Sequence, residues 1–234
     1  MHYQLIEYDE VGSTLDVAHE LAAKGAEAGT LIVAHAQTAG RGRMGRTWRS
    51  EPGAGLWLTL IERPADPSAL DVLSLRVGLA LAPALDPFAE ALVRLKWPND
   101  LYVAQRKLAG ILIEARWREG HPEWVAIGVG INLRPPASEP RAAGLTPGTS
   151  RDVVLEAIAP RMRAAAARVG ELTAVEVDAF AARDLAVGRH CLEPVNGIVS
   201  GIDASGALLV TVASANGAAL TAVRAGSLVL EETS

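Results

Sequence analysis

Four arginines fall within the ten residues of GRGRMGRTWR, from Gly40 to Arg49. Guanidinium groups bind phosphate and carboxylate in a bidentate manner, and each such bond is worth about 1.5 to 3 kcal/mol when partly desolvated. The interleaved glycines let the backbone approach an anion closely. The stretch therefore predicts a loop that binds a small anion and is poorly ordered until that anion arrives. A solvated basic loop is the structural alternative.

The first six residues of this stretch also fit the dinucleotide-binding pattern G-x-G-x-x-G. That pattern needs a helix beginning at its last glycine, because the N-terminus of the helix holds the pyrophosphate. Here the last glycine is Gly45, and Pro52, Gly53 and Gly55 follow shortly after it. These residues prevent a helix of useful length, so the pattern does not indicate a Rossmann site.

A second group of polar residues lies in KWPNDLY, from Lys96 to Tyr102. Pro98 fixes its own φ and favours an extended residue before it, so Asn99 and Asp100 are expected in a rigid turn at the end of a strand. Such a pair suits polar substrate groups or Mg²⁺, which takes one or two carboxylates together with phosphate oxygens. Pro-Asn-Asp is also a common turn sequence, and in isolation the structural interpretation is the stronger one.

Two apolar segments each carry one polar residue that could contact a ligand. Lys107 begins the strand of RKLAGILIE, in which Gly110 indicates close approach of a ligand or of backbone. Asn132 ends the strand of GVGINL, beside glycines that leave room for a flat group. A solvated hairpin lysine and a capping asparagine are the structural alternatives.

The elements that position these residues can be predicted from periodicity and from turn signals. Helices are expected from Ser13 to Gly25, from Ser68 to about Leu85, after Thr149 with a break at Pro160, and over Ala174 to Asp184. Strands are expected at Thr30 to Thr38, at Gly55 to Glu62, before Pro98, on both sides of a turn at Gln105 to Lys107, and at Glu123 to Leu133. Most adjacent strands are joined by hairpin-length turns, which predicts an α+β domain with a mixed, mostly antiparallel sheet and flanking helices.

The C-terminal part of the chain has a different pattern. From Gly188 onward, short strands alternate with glycine turns. Closely spaced hairpins need closure or a partner face, so a small β-barrel is expected. The domain boundary is predicted near residue 185, which separates a main domain, 1–185, from a small domain, 186–234.

The composition is that of a globular protein, with 50% hydrophobic and 21% charged residues. The single cysteine, Cys191, excludes an internal disulfide and a multi-cysteine metal site, and it favours a reducing, cytoplasmic location. Neither a signal peptide nor a long uninterrupted apolar run is present, so no membrane segment is expected. The net charge of −5 should repel nucleic acid, which favours a small anionic ligand for the arginines.

In combination, these motifs resemble those of the biotin protein ligases, and the resemblance covers the whole chain. It is carried by motifs in the family's order and spacing: Ser13-Thr14, Gln37, GRGRMGR, KWPND, KLAGILIE and GVGINL. The resemblance implies a class II synthetase-like catalytic domain over 1–185 and a small Src-homology-3-like (SH3-like) β-barrel over 186–234. It also implies that biotin and ATP, with Mg²⁺, form biotinyl-5'-AMP, and that biotin then passes to a lysine of a carboxylase's biotin carboxyl carrier protein.

The resemblance further implies roles for individual residues. Arg43, which should neutralise the phosphate and retain the intermediate, and Lys107, which should meet the biotin carboxylate and the bridging oxygen, are the expected catalytic residues. The residues expected to bind biotin are Ser13, Thr14, Gln37, Arg41, Gly42, Arg43, Lys107 and Gly110. Those expected to bind ATP or the adenylate are Arg41, Arg43, Arg46, Trp48, Asn99, Lys107 and Asn132, with Asp100 expected near Mg²⁺.

The sequence departs from the family pattern in two places. Leu15 follows Thr14 where many members have asparagine, so this position cannot donate a side-chain hydrogen bond to biotin. Some members carry an N-terminal helix-turn-helix module, for which the residues before the first motif leave no room, so direct DNA binding is not expected. Members of the family often form a homodimer, and the sequence leaves the oligomeric state open.

Two other functions remain compatible with the motifs. A lipoate or octanoate attachment enzyme would resemble this family in fold and would also modify a carrier lysine. A non-catalytic biotin-sensing adaptor would keep the binding site without the reaction, although Arg43 and Lys107 argue against it.

Overall fold

The structure, a computed structural model, describes residues 3–64, 66–214 and 217–231, which form two sheets with flanking helices. The strands of the larger sheet are β1 (Gln4–Val11), β2 (Thr30–Gln37), β3 (Gly55–Glu62), β4 (Val93–Lys96), β5 (Asp100–Val103), β6 (Arg106–Arg118) and β7 (His121–Asn132). Those of the smaller sheet are β8 (His190–Glu193), β9 (Gly197–Ile202), β10 (Leu208–Ser214), β11 (Gly217–Val223) and β12 (Val229–Leu230). The α-helices are α1 (Thr14–Ala23), α2 (Leu73–Leu85), α3 (Arg151–Ala166) and α4 (Ala174–Ala181).

The larger sheet has the strand order β1-β2-β3-β7-β6-β5-β4. Strands β1 and β2 run parallel, and the other neighbours are antiparallel. The prediction of a mixed, mostly antiparallel sheet is therefore confirmed. The sequence pattern did not indicate β1, because acidic residues interrupt its apolar ones, and this edge strand is largely exposed.

Helix α1 begins where the sequence predicts it. Ser13 is the N-cap, and its Oγ accepts a hydrogen bond from the Leu15 backbone N at 3.3 Å. The buried face of the helix, with Leu15, Ala18 and Ala22, packs on the sheet in a small core that includes Ile32 and Trp124. The packing places Thr14 against Gln37, the last residue of β2, and against Thr59 in the middle of β3.

Helices α2 and α3 cover the opposite side of the larger sheet, and both contain a proline. The predicted break at Pro160 is wrong, since α3 continues through it to Ala166, and α2 also passes Pro83 before it ends. Buried residues lie on both sides of Pro160, among them Leu155 and Met162, so tertiary packing holds the two halves in line. The helical segment Pro67–Phe88 is long and apolar enough to cross a membrane, but 61% of its most apolar stretch is buried in the protein, as in a core helix.

The smaller sheet has the order β11-β10-β9-β8-β12. Among the described residues, its end strands β11 and β12 pair with β10 and β8 and not with each other, so the sheet is open. The predicted SH3-like barrel is therefore not confirmed, because no pairing between β11 and β12 closes the described part of the sheet. The last residues, 232–234, and residues 215–216 of the predicted barrel lie outside the described part.

The two sheets share one hydrophobic core. Cys191, Val199 and Leu208 of the smaller sheet belong to the same buried cluster as the residues of α2 and the larger sheet. The Trp97 indole N–H donates to the Gly206 carbonyl at 2.9 Å, which adds a buried polar contact across the junction. The smaller sheet is therefore held close enough to place its C-terminal segment, residues 226–231 with β12, beside the larger sheet.

Candidate active site

One cavity of about 750 Å³ lies over the glycine-containing parts of β6 and β7 and extends to the C-terminal segment of the smaller sheet, residues 227–231. Every site residue that the sequence predicts lines this cavity: Ser13, Thr14, Gln37, Arg41, Gly42, Arg43, Arg46, Trp48, Asn99, Asp100, Lys107, Gly110 and Asn132. Residues from separate parts of the chain are thus brought together, while their individual roles remain predictions.

One end of the cavity carries neutral hydrogen-bonding groups. The Gln37 Oε1 accepts from the Thr14 backbone N at 2.9 Å and from the Thr14 Oγ1 at 3.2 Å. Thr59 Oγ1 in turn donates to Thr14 Oγ1 at 2.9 Å, and Gln37 Nε2 donates to Ser50 Oγ at 2.8 Å. This network orients hydroxyl and amide groups that can bind a small polar ring. Sequence inspection missed Ser50 and Thr59, which have no motif of their own.

Leu15, the departure from the family pattern, is a core residue. Its side chain is buried, and a Cβ on Gly128 would lie 3.1 Å from it. The position therefore contributes apolar surface to this end of the cavity and no hydrogen bond.

The predicted anion-binding segment, residues 40–49, is called the arginine loop below. It folds as a compact hairpin in which Gly42 N donates to Arg46 O at 2.7 Å and Trp48 N donates to Gly40 O at 2.8 Å. Gly40 lies so close to the returning chain that a Cβ there would be 2.4 Å from the Trp48 carbonyl oxygen. The loop contains no Rossmann helix, as the sequence predicts, and the expected ordering by ligand remains a prediction.

Arg43 points from the arginine loop toward two other parts of the cavity wall. Its Nη1 donates to Asn99 Oδ1 at 3.3 Å and to the Gly226 carbonyl at 3.2 Å, so the smaller sheet contacts this residue directly. Burial lowers the pKa of Arg43, Asp100 raises it, and Arg46 lowers it further. A guanidinium that is partly desolvated and near other cations binds an anion strongly.

Both backbone polar groups of Lys107 form hydrogen bonds with the segment Arg141–Ala143. Its N–H donates to the Arg141 carbonyl, its carbonyl accepts from Ala143 N, and both distances are 2.8 Å. Its Nζ lies 2.7 Å from Asp100 Oδ1. Asn132 Nδ2 donates to the Lys107 carbonyl at 3.3 Å, which connects the end of β7 to the same position. The Lys107 ammonium group is therefore positioned at the cavity wall by the Asp100 carboxylate, which also raises the pKa of Arg43.

Trp48 lies flat against the glycines of β6 and β7. A Cβ on Gly110 would lie 2.9 Å from Trp48 Cζ3, and one on Gly130 would lie 2.7 Å from Trp48 Cε2. The Lys107 Nζ is 5.2 Å from the ring centre, within the range of a cation–π contact. The buried indole Nε1 has no hydrogen-bond partner among the described residues. The glycines are therefore needed because an aromatic ring occupies the space that a side chain would fill.

Lys96 is a site residue that sequence inspection missed. It lines the cavity, and its Nζ lies 5.5 Å from the centre of the Tyr102 ring. Burial lowers the pKa of Lys96, Asp100 raises it, and Lys107 and other nearby cations lower it again. Burial, followed by Asp100, raises the pKa of Tyr102 to about 12. The sequence signal that could have identified Lys96 is its place as the first residue of the KWPND motif.

Arg189 is a second missed residue, and no local signal pointed to it. It precedes β8 in the smaller sheet, lines the cavity, and donates to Gln105 Oε1 at 3.1 Å and to the Glu231 carbonyl at 3.2 Å. With Arg43, Arg46, Lys96 and Lys107 it makes one part of the cavity strongly cationic, although the net charge of the protein is −5. Such a site attracts a polyanionic ligand.

The donor groups of the cavity do not form a preassembled metal cage. No group of three or more His, Cys, Asp or Glu residues that could hold a metal ion occurs in the described ranges 3–64, 66–214 and 217–231. Asp100 and the neighbouring Asn99 supply one carboxylate and one amide. That donor set fits Mg²⁺ if phosphate oxygens complete the coordination.

Comparisons with known proteins agree with this architecture. The family model for the biotin/lipoate A/B protein ligase family matches residues 10–132. A bifunctional ligase/repressor BirA of Bacillus subtilis is 42% identical over 134 residues, which cover 57% of this chain and 41% of that protein. A biotin (acetyl-CoA-carboxylase) ligase of Paracoccus denitrificans is 32% identical over 211 residues, which cover 80% of this chain and 86% of the relative.

The fold has a close counterpart among solved structures. The biotin protein ligase of Aquifex aeolicus in complex with biotin and ATP matches 99% of this chain and 100% of its own, with a TM-score of 0.78 and 25% sequence identity. The match to the Bacillus subtilis relative spans less than half of that protein's length, so the similarity applies only to the aligned 134 residues. From the family model and the Paracoccus relative together, the chain belongs to the biotin/lipoate A/B protein ligase family.

Proposed function

We propose that this protein is an ATP-dependent biotin protein ligase that adenylates biotin and transfers it to a lysine of a carboxylase's biotin carboxyl carrier protein. The observation that carries the proposal is one cavity with two chemically different ends. The neutral groups around Thr14 and Gln37 suit a ureido ring, which has both donors and acceptors. The cations around Arg43 and Lys107 suit a carboxylate and a phosphate.

In the first step, a biotin carboxylate oxygen attacks the α-phosphorus of ATP, and the bond to the β-phosphate's bridging oxygen breaks. Pyrophosphate leaves with the electron pair, and biotinyl-5'-AMP remains. Lys107 reduces the repulsion between the two anions and stabilises charge on the bridging oxygen, while Arg43 neutralises the α-phosphate. Trp48 and Asn132 border the adenine. Neither step uses a covalent enzyme intermediate, so Cys191 has no catalytic role.

In the second step, the amine of the carrier lysine attacks the acyl carbon of biotinyl-5'-AMP. The bond between that carbon and the phosphate oxygen breaks, AMP leaves, and the amine loses a proton as the amide forms. Because the mixed anhydride is hydrolysed easily in water, the arginine loop must keep it enclosed until the carrier arrives. Arg43 is the residue proposed to retain it.

Asp100 and Asn99 would hold Mg²⁺ together with phosphate oxygens of the nucleotide. When bound, the ion neutralises charge on the pyrophosphate that leaves. The Asp100 Oδ1 also lies 2.7 Å from the Lys107 Nζ, so the same carboxylate would contact the metal ion and position the ammonium group.

Biotin is favoured over lipoate or octanoate by the chemistry of the neutral end. A lipoyl or octanoyl tail has no urea and would leave the groups of Thr14 and Gln37 that line the cavity without ligand partners. The relatives from Paracoccus denitrificans and Aquifex aeolicus are biotin ligases by name, which supports the same choice.

The test is to incubate the protein with ATP, Mg²⁺, a biotin carboxyl carrier domain and one acid at a time: biotin, lipoate or octanoate. Pyrophosphate release and acylation of the carrier lysine with biotin alone are expected. Acylation with lipoate or octanoate, and not biotin, would identify the alternative enzyme. Biotin binding without pyrophosphate release would identify a non-catalytic adaptor.

The remaining parts of the proposal concern location and assembly. From the sequence we expect a cytoplasmic location and no direct DNA binding. The sequence leaves open whether the protein is a monomer or a homodimer. Light scattering with and without biotin and ATP measures the oligomeric state, and a gel-shift assay measures DNA binding.

A further inference from the structure

A connected group of side chains lies beside the cavity and ends on the arginine loop. Its members, called the Glu114 network here, come from α1, β6, β7 and the loop: Trp124, His19, Glu114, Arg41 and Asp16. Trp124 Nε1 is 2.9 Å from His19 Nδ1, and His19 Nε2 is 2.9 Å from Glu114 Oε2. Arg41 Nη2 is 2.8 Å from the same Glu114 oxygen and 3.0 Å from Asp16 Oδ1.

The direction of the hydrogen bonds in this network follows from donor chemistry. An indole N–H can only donate, so His19 Nδ1 must accept from Trp124. The neutral imidazole then carries its proton on Nε2, which donates to Glu114 Oε2. Glu114 therefore receives hydrogen bonds from His19 on one side and from Arg41 on the other. Its carboxylate is therefore oriented by His19, which Trp124 orients in turn, and neither of these residues belongs to the arginine loop.

Arg41 connects this oriented carboxylate to the arginine loop. It forms an isolated β-bridge with Thr47, which closes the base of the hairpin, and it lies two residues before Arg43. Its guanidinium pairs with Glu114 and Asp16 at the edge of the cavity. The side chain thus contacts the scaffold, whereas the family resemblance implies that Arg41 contacts the ligand.

We propose that Glu114, with Asp16, is a positioning residue of the reaction that anchors Arg41 and so keeps the arginine loop closed over the adenylate. The inference rests on the proposed function for the identity of the retained molecule. Glu114 acts through Arg41 and the loop, and it does not touch the reacting atoms. His19 and Trp124 contribute by fixing the orientation of the Glu114 carboxylate.

The first test compares Glu114→Gln with wild type after the site is loaded with biotin and ATP. Release of biotinyl-5'-AMP should be roughly fivefold faster in the variant, since the ion pair is partly exposed and is therefore of moderate strength. The matched control is Glu123→Gln, which removes an exposed ion pair with Arg118 on the same β6–β7 hairpin. The control should retain the adenylate like wild type, and release at the wild-type rate from Glu114→Gln would overturn the proposal.

A charge exchange separates anchoring from direct ligand contact. Arg41→Glu alone should release the adenylate rapidly, because the introduced carboxylate would face those of Glu114 and Asp16. The double variant Arg41→Glu with Glu114→Arg restores an opposite-charge pair and should recover most of the retention. If the Arg41 guanidinium binds the ligand, the double variant will leak as fast as the single one, which would refute the anchoring role.

A third measurement does not depend on activity. Amide hydrogen exchange at Gly42 and Trp48, whose N–H groups close the hairpin, reports opening of the arginine loop. Exchange should be severalfold faster in Glu114→Gln than in wild type or in Glu123→Gln. If wild type forms no adenylate, the proposed function fails, but the exchange comparison still tests whether Glu114 anchors the arginine loop. Equal exchange in all three proteins would contradict the anchoring role.

Discussion

Arg43 and Lys107 reach the same cavity from different elements, Arg43 from the arginine loop and Lys107 from the start of β6. Their environments differ in a way that suits two tasks. Arg43 contacts an amide and a backbone carbonyl, which are weak partners that an anion can replace. Lys107 is paired with Asp100 and has a fixed backbone, so its ammonium group is already in position before a ligand binds.

Replacement of Arg43 by glycine should impair retention of the intermediate. Removing a partly buried guanidinium that is proposed to bind the phosphate should cost about 1.5 to 3 kcal/mol, which corresponds to roughly ten- to hundredfold faster loss of biotinyl-5'-AMP. Free adenylate and nonspecific labelling of nearby lysines measure the loss. Arg118→Gly, at an exposed position on the β6–β7 hairpin, is the control for removal of a positive charge. Unchanged retention in Arg43→Gly would refute the assignment.

Replacement of Lys107 by methionine should affect the first step more than the second. The change keeps most of the unbranched apolar stem of the side chain and removes the charge that is proposed to face the biotin carboxylate, so adenylate formation should slow by about 10²- to 10³-fold. Transfer from supplied biotinyl-5'-AMP should slow much less, because the two anions have already reacted. Pyrophosphate release and carrier labelling separate the two steps, with Lys24→Met on the exposed end of α1 as the control. Equal slowing of both steps would contradict the role.

At the scale of elements, the glycines of β6 and β7 make the cavity possible. A sheet face normally carries side chains, but Gly110 and Gly130 leave a flat area that the Trp48 ring covers. The arginine loop supplies this ring, so loop and sheet form one wall together. The indole N–H of Trp48 is buried against β7, so the part of Trp48 that could border an adenine ring is its flat aromatic surface.

Gly130→Ala should weaken ATP binding by displacing Trp48. Its new Cβ would lie 2.7 Å from Trp48 Cε2 and Nε1, so the indole has to move. Loss of an aromatic stacking surface costs about 1 to 3 kcal/mol per base, and the KM for ATP should rise roughly tenfold. Gly128→Ala is the matched variant on the same strand, since its Cβ meets Leu15 instead. An unchanged KM for ATP in Gly130→Ala would show that Trp48 does not border the nucleotide.

At the scale of the whole molecule, buried ion pairs and a shared core hold the layers around the cavity. Arg76 of α2 is 2% exposed and donates to Glu176 Oε1 at 3.0 Å, and it also donates to the carbonyls of Gly170 and Glu171. Glu176 completes a capping box with Thr173 at the start of α4. One carboxylate therefore joins a core helix to the helix that precedes the smaller sheet.

Glu176→Gln should destabilise the whole protein. The change leaves a buried guanidinium without its counter-charge, which costs about 3 kcal/mol in the free energy of unfolding. Urea unfolding at neutral pH measures the loss. Glu123→Gln, at an exposed ion pair, should change the stability by less than about 1 kcal/mol. A variant as stable as wild type would mean that the backbone carbonyls alone satisfy Arg76.

The same carboxylate predicts a pH dependence of stability. Burial raises the pKa of Glu176, but hydrogen bonds from Arg76 and Thr173 together lower it below the ordinary value of 4.5. A lowered pKa in the folded state gives stability that is present above pH 4.5 and is lost as pH falls through the folded-state pKa. Wild type should therefore lose stability faster than Glu176→Gln below about pH 4.5. Parallel acid dependence of the two proteins would contradict this contribution.

The sequence by itself determined the elements that carry strong local signals. Ser13 as an N-cap and the strand Gly55–Glu62 follow from capping and strand-forming residues, which act over a few neighbours. The hairpin predicted around Gln105 to Lys107 is also present, but its turn lies at residues 104–105 and Lys107 is already in β6. The motif residues of the cavity were also found, because the combination of GRGRMGR, KWPND and KLAGIL is distinctive. Their shared location in one cavity was an expectation of the resemblance.

Only the tertiary structure decided the rest, because those features depend on contacts between distant residues. Helix α3 continues through Pro160 since packing on both sides outweighs the local cost, and the described part of the smaller sheet is open where closely spaced hairpins predict a barrel. No sequence pattern connects Lys96, Arg189 and the Glu114 network with one another. The hydrogen bond between His19 and Trp124 cannot be read from the sequence, because the two residues are far apart along the chain. Local periodicity records the neighbours of a residue along the chain, whereas a site is made from its neighbours in space.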